Sequence, residues 1–361
     1  MNEKIKCYLF REEHIPKKAM FPVIDAHNHL WANWDAVDNI VKVMDEVGIA
    51  CYCDLTSNIS LKWMKGGYVF HEGNIADFFN NCVRRFPGRF YGFTTATFAH
   101  PLDQPLFSNA DEFVKQTIEI LHTHVEMGAC GLKILKELGL HYHDGDGKLI
   151  AVDDERLAPI WEEAGKIGIP VLIHQSDPYG FFEPVTPENE HYSSLKKYPA
   201  WSFADPKFPR KMELLKRRDN LLYNHPETTF MLPHVANFAE NLAYVSKLLD
   251  EHPNVYIDFS ARIDELGRQP YSTREFLIKY QDRVYFGTDM PASREVYQCY
   301  FRFMETHDEY FTAPDYDGTF SQSRWHIHGL KLPAQVLEKI YYKNALKIVP
   351  CLKNLLPKYL S

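Results

Sequence analysis

VIDAHNH, residues 23–29, is a short apolar, β-branched run that ends in a His-x-His pair. Successive side chains of a strand point to opposite faces, so His27 and His29 share one face. Seven further segments of the same kind follow: IACYCDL (49–55), FYGFTTAT (90–97), CGLKIL (130–135), PVLIHQ (170–175), TFMLPHV (229–235), VYIDFS (255–260) and VYFGTDM (284–290). Amphipathic stretches such as DAVDNIVKVMDEVG, DEFVKQTIEILHTHVEMG, DERLAPIWEEAGKIG and ENLAYVSKLLDEHP separate them, each closed by a Gly or Pro stop signal. Strands alternating with helices call for a parallel sheet covered by helices. Eight strands suit closure, and no Gly-rich dinucleotide turn follows the first, which disfavours an open doubly wound sheet. The expected fold is α/β, a single (β/α)8 TIM barrel whose inner strand face is the barrel axis.

With no internal repeat and no Ser/Gly linker in its 361 residues, the chain reads as one barrel domain over 23–349, with an N-terminal extension over 1–22 and a C-terminal tail over 350–361. Two long interruptions, 177–206 and about 307–330, follow the fifth and eighth strands, at the end where barrel enzymes build pockets. HYHDGDGKLIAV, after strand four, reads as a small hairpin with Asp-Gly turn chemistry.

A net charge of −8 offers no basic footprint for a polyanion, so nucleic acid is not an expected partner. The charged N-terminus has no signal-peptide core, and no run is long enough to span a bilayer. Seven scattered cysteines without CxxC spacing read as reduced thiols in the cytoplasm. The expected partner is a small-molecule substrate, and a homo-oligomer is compatible with these features.

His174, His234 and Asp289 stand at the ends of strands five, six and eight, joining His27 and His29. Five ligand-type residues at the end where barrel active sites form point to a divalent metal, since neutral imidazole suits Zn, Fe or Ni. Position separates this set from other histidines. His326 and His328 lie in a late loop, His141 and His143 in the small hairpin, and His122 and His124 at helix spacing i, i+2, which shares no face. Lys133, inside strand four, is costly to bury without a partner. It is a carbamylated bridge between two metals, a cation for an anionic substrate, or a structural ion pair.

Together IDAHNHLW, GLKIL, VLIHQSDP, MLPHVAN, VYFGTDMP and the C-terminal YYKNALKIV resemble the amidohydrolase superfamily, in the amidohydrolase-related branch that includes aminocarboxymuconate-semialdehyde decarboxylase and related hydrolases and lactonases. The resemblance runs from the first strand to the last helix. It implies that His27, His29, His174 and Asp289 bind a divalent metal, most often zinc, with His234 on a second metal or poised over the bound water. One ion is expected in the branch with decarboxylases, and two where the strand-four lysine is carbamylated. The cation would bring a bound water's pKa toward neutrality, Asp289 would accept and return its proton, and His234 would steer the developing charge. Arg262, His100 and Asp177 are further substrate-contact candidates at neighbouring strand ends. The leading expectation is hydrolysis of an amide, ester or lactone bond in a small anionic molecule. Non-oxidative decarboxylation of a small carboxylic acid is the runner-up, and a non-catalytic metal-binding scaffold is the third reading.

Overall fold

Every one of the eight apolar segments takes its expected place around a TIM barrel. The computed structural model describes residues 14–64, 67–313 and 324–355. Parts of the expected N-terminal extension, of the second long loop and of the C-terminal tail lie outside the described residues. Strands β1 (Val23–Asn28), β2 (Ile49–Asp54) and β5 (Phe90–Gly92) pair in parallel, as do β6 (Leu132–Ile134), β7 (Val171–Ile173), β8 (Phe230–Leu232) and β9 (Val255–Ile257). Backbone bonds join the two groups: Thr94 N–H donates to Gly131 at 3.0 Å and Lys133 N–H to Thr94 at 2.7 Å. At the other seam Tyr285 N–H donates to Ile257 at 2.9 Å and Ala26 N–H to Phe286 at 3.0 Å. The segment 284–290 thus closes the ring as its eighth strand.

Two apolar layers follow from alternation along the strands. Ile24, Cys51, Cys53, Leu172, Met231 and Tyr285 pack together inside the barrel with Ile348 and Leu352 of the C-terminal helices. Val23, Leu132, Ile134, Val171, Ile173, Phe230 and Phe286 pack outward under the surrounding helices. Those helices include Val37–Val47, Ala110–Met127, Ala158–Lys166 and Leu242–Glu251, the four amphipathic stretches above. Gly48 and Gly128 stop the first two at φ 91° and 116°, in the left-handed region that glycine enters without steric cost.

Three features depart from the sequence reading. An antiparallel hairpin, β3 (Ile59–Met64) with β4 (Gly67–Glu72), rises between β2 and β5 and was not anticipated. Cys130 and Cys351 are joined as a disulfide rather than left as reduced thiols. The C-terminal helices plug the barrel floor where β6 begins, which brings the two Cα atoms within 5.9 Å. The thiol argument for a cytoplasmic location therefore does not stand. Finally, β1 carries a bulge: Asp25 pairs with Tyr52 and Asn28 with Asp54, leaving Ala26 and His27 opposite a single residue. No helix among the described residues is long and apolar enough to cross a membrane.

The bulge seats His27 against the eighth strand, where a Cβ on Gly287 would stand 2.6 Å from His27 Cβ. Gly287→Ala should therefore displace β1 or the closing strand, at a cost of about 1–3 kcal/mol. The loss is read as a fall in Tm and urea midpoint; unchanged stability would mean that this seam is loosely packed.

Candidate metal centre

The mouth of the barrel gathers the five expected ligand-type residues. One ring nitrogen of His27, one of His234 and an Asp289 oxygen lie within 4.8 Å of one another. Asp289 Oδ2 stands 3.8 Å from His27 Nε2 and 3.7 Å from His234 Nε2, and its Oδ1 3.5 Å from His29 Nε2. His174 flanks the group, its ring edge-on to His234 at 4.5 Å between centroids. His234 thus sits as deep in the cluster as His27, while His174 leans outward to Asp177, 3.5 Å from its Nε2.

The backbone aims these rings by different routes. Strand alternation turns Lys133, His174 and Asp289 inward, since Ile134, Ile173 and Phe286 face out. Alternation alone would point His27 outward with Val23, and the bulge reverses it. His234 is reversed differently: four consecutive residues, His234 to Asn237, hold φ of 57°, 56°, 50° and 59°. Left-handed backbone costs about 1–2 kcal/mol for each non-glycine residue, so this turn must be held from outside.

Hydrogen bonds fix the tautomers. His27 Nδ1 donates to Asp258 Oδ2 at 2.8 Å, and His234 Nδ1 to the Ser260 carbonyl at 2.8 Å. His29 Nδ1 lies 3.0 Å from the Thr56 hydroxyl, which itself donates to Asp54. With the Nδ1 protons of His27, His29 and His234 so placed, their Nε2 lone pairs face the centre, and the Nε2 atoms of His27 and His234 are buried with no hydrogen-bond partner among the described residues. Burial, reinforced by neighbouring positive groups, holds His29 and His234 well below the usual imidazole range, and burial pushes His174 down to about 4 despite Asp177. Buried, neutral, preoriented imidazoles beside a carboxylate are what a divalent cation requires, so the residues fit the metal that the sequence implies.

Asp258, in the strand-seven segment VYIDFS, belongs to the centre although strand-end position alone does not mark it. Besides holding His27, its Oδ1 accepts the His234 N–H at 2.9 Å and the Ser260 hydroxyl at 2.6 Å. Burial opposes its charge, but His27 and these donors outweigh burial and keep the carboxyl below its usual range. The signal was available, because alternation after Ile257 turns residue 258 inward.

Above the cluster opens a cavity of about 170 Å³. Trp31, Tyr68, Phe70, Phe181 and Trp201 form aromatic walls, with Lys133, Lys136, Arg262, Glu137 and Asp177 among them. Trp31 stacks on His29 at 4.4 Å. Lys133 is buried, its ammonium has no hydrogen-bond partner among the described residues, and burial pushes its pKa down to about 8 against the pull of Asp289 and Asp258. Asp177 is gripped by Lys136 at 2.6 Å and lies 3.8 Å from Arg262. Tyr68, from the unanticipated hairpin, donates to Glu137 at 2.6 Å. His100 does not line this cavity; its backbone N–H meets the Tyr142 hydroxyl at 3.0 Å instead. Three of the other histidines have ordinary partners: His122 meets Glu163, His124 meets Thr94, and His326 stacks on Tyr310.

Asp258→Asn should weaken divalent-metal binding about 10–100-fold, the usual effect of losing a carboxylate behind a ligating histidine. Chelator competition measures it, and unchanged affinity would detach Asp258 from the centre.

A family model described as amidohydrolase matches residues 24–351. No curated protein matches the chain. Solved structures do. An uncharacterised TIM-barrel protein from Bordetella bronchiseptica aligns at TM-score 0.55 and 14% identity, over 92% of this chain and 100% of its own. A 2,6-dihydroxybenzoate decarboxylase from Rhizobium aligns at 0.53 and 16%, over 92% and 99%. A dihydroxybenzoic acid decarboxylase from a Polaromonas species, with bound manganese and the inhibitor 2-nitroresorcinol, aligns at 0.53 and 16%, over 92% and 97%. At such identities the likeness establishes a shared barrel fold. The family model spans nearly the whole chain, from the first strand to the residue pinned beneath the barrel floor, and on that match the protein belongs to the amidohydrolase family.

Proposed function

We propose that this protein is a metal-dependent lyase that removes carbon dioxide from a small, planar carboxylate. The observation that carries the reading is the buried, unpartnered Lys133 ammonium in an aromatic-walled cavity directly above the imidazole–carboxylate cluster. A pocket walled by aromatic rings and lined by positive groups draws a carboxylate away from its hydration shell. Loss of carbon dioxide disperses that charge, so exchanging part of the hydration shell for aromatic walls favours the transition state over the solvated reactant. The decarboxylases named above lend support, as barrels of the same fold that act on dihydroxybenzoates. This reading reverses the order drawn from sequence, in which hydrolysis came first.

His27, His234 and Asp289, with His29 and His174 beside them, would hold one divalent ion, zinc by its affinity for imidazole. When bound, that ion supplies Lewis acidity at the substrate carboxylate or an oxygen next to it. Lys133 fixes the carboxylate by charge, and the aromatic walls fix the plane of the body. As the C–C bond breaks, its electron pair stays on the substrate carbon and carbon dioxide departs. Asp289, at 3.5–3.8 Å from three imidazoles, takes a proton from solvent and passes it to that carbon, returning to its carboxylate form. Hydrolysis of an ester or lactone remains the second reading, favoured by the 27% of the Asp289 side chain that stays open, which gives water a route to this base.

The two reactions separate on one panel: hydroxybenzoates and unsaturated acids followed by carbon dioxide release, and aryl esters and lactones followed by acid release. Metal-dependent carbon dioxide release is expected; turnover confined to the esters or lactones transfers the site to hydrolysis. Asp289→Asn should lower kcat about 100-fold or more, and near wild-type turnover would remove Asp289 from the reaction. Lys133→Met should raise KM for the carboxylate roughly 10-fold or more through loss of a charged hydrogen bond, with metal content unchanged. A fall in bound metal in that variant would instead make Lys133 a bridge between two ions.

A further inference from the structure

We infer that Arg218 and Lys211, two buried cations of the helix Lys211–Asn224, are positioning residues that hold His234 toward the metal centre. Neither touches the cavity. The inference rests on the reading of His234 as a metal-facing group and adds the device that makes it one.

Met231 points into the barrel and Leu232 away, so a continued strand would turn His234 outward. The left-handed run from His234 to Asn237 turns it back. Val235, β-branched, is among the residue types least suited to positive φ, so the run is not a local preference. Its amides are met at the strand side: Asp258 takes the His234 N–H at 2.9 Å and its carbonyl the Val235 N–H at 2.6 Å. Its carbonyls are met from the helix side. Arg218 Nη1 donates to the Ala236 carbonyl, and Lys211 Nζ donates to the Asn237 carbonyl at 2.5 Å. Lys211 also donates to the Asp177 carbonyl at 2.6 Å, tying the loop after β7 to the one after β8. Arg218 and Lys211 are 0% and 2% exposed, which is rare for such cations without a fixed task. Arg218 is oriented in turn by Asp219, at 3.0 Å from its Nε and 2.7 Å from its Nη2, and Asp219 accepts the Tyr244 hydroxyl. A chain of contacts thus runs from the half-exposed Asp219 through Arg218 to the turn that aims His234.

A stabilising arginine elsewhere provides the control. Arg283 donates to the Val255 carbonyl at 2.7 Å at the opposite end of the barrel, so Arg283→Met should cost stability without touching the centre. Two readouts apply to Arg218→Met, Arg218→Lys, Lys211→Met, Asp219→Asn and Arg283→Met. The first is the NMR resonance of the His234 imidazole in metal-free protein, assigned by its loss in His234→Ala. The second is cobalt affinity by chelator competition, together with the absorption spectrum of the bound cobalt.

Arg218→Met and Lys211→Met should shift the His234 resonance and weaken cobalt about 10–100-fold with an altered spectrum. Arg218→Lys should recover most of the affinity, and Asp219→Asn should move the same signals by less in a fold left intact. In the His234→Ala background, Arg218→Met should cost no further cobalt affinity. The inference is overturned if Arg218→Met, or Asp219→Asn where the former does not fold, lowers Tm as Arg283→Met does but leaves the His234 resonance in place. If His234→Ala itself leaves cobalt affinity unchanged, the metal reading of His234 fails, while the resonance still decides whether Arg218 positions the ring.

Discussion

The architecture of the barrel mouth depends on one buried carboxylate. Asp258 accepts the Nδ1 proton of His27 with one oxygen and the backbone N–H of His234 with the other, so a residue of the seventh strand ties the first strand to the sixth. Its effect is to set which nitrogen of His27 carries the proton and to leave the other as a lone pair facing Asp289. A buried carboxylate is expensive unless every oxygen is met, and here His27, His234 and Ser260 meet both. Removing any partner would leave charge unsatisfied as well as an imidazole free to turn.

Around that anchor the molecule divides its labour by height. The floor is apolar and closed: inward strand residues pack on the C-terminal helices, and the Cys130–Cys351 bridge pins them there. The mouth is polar and strained. Ala96, His234, Ala261 and Asp289 all carry positive φ where a strand ends, as do Trp31 and Ala32 in the first loop. A stable base can carry such strain where the chain must turn a side chain toward the axis rather than along the strand.

Much of this was legible because strand alternation is a rigid rule. Lys133, His174 and Asp289 face inward for the reason read from the sequence, and the positions of all eight strands followed from apolar runs between helical periods. His27 and His234 reach the axis against alternation, one through a bulge and the other through a left-handed turn, and neither leaves a pattern in a single sequence. The hairpin Ile59–Glu72 escaped because its strands are largely exposed: ISLKW alternates apolar with polar residues and lacks the near-continuous apolar run that marks the barrel strands. His100 looked equivalent to the other candidates by its place after a strand, but a loop residue has no alternation to aim it, and it falls outside the cavity. The Cys130–Cys351 pairing was illegible for a simpler reason: 221 residues separate the two, and only the plugging of the floor by the last helices brings them together.

The central claim is that buried, neutral imidazoles and one carboxylate converge to hold a divalent cation. Anomalous diffraction from crystals of protein supplied with zinc or manganese tests it most directly. A single anomalous peak is expected between His27, His234 and the Asp289 carboxylate, with His29 or His174 beside it. A mouth with no peak, or a metal bound elsewhere while His27 keeps its contact with Asp258, would contradict it.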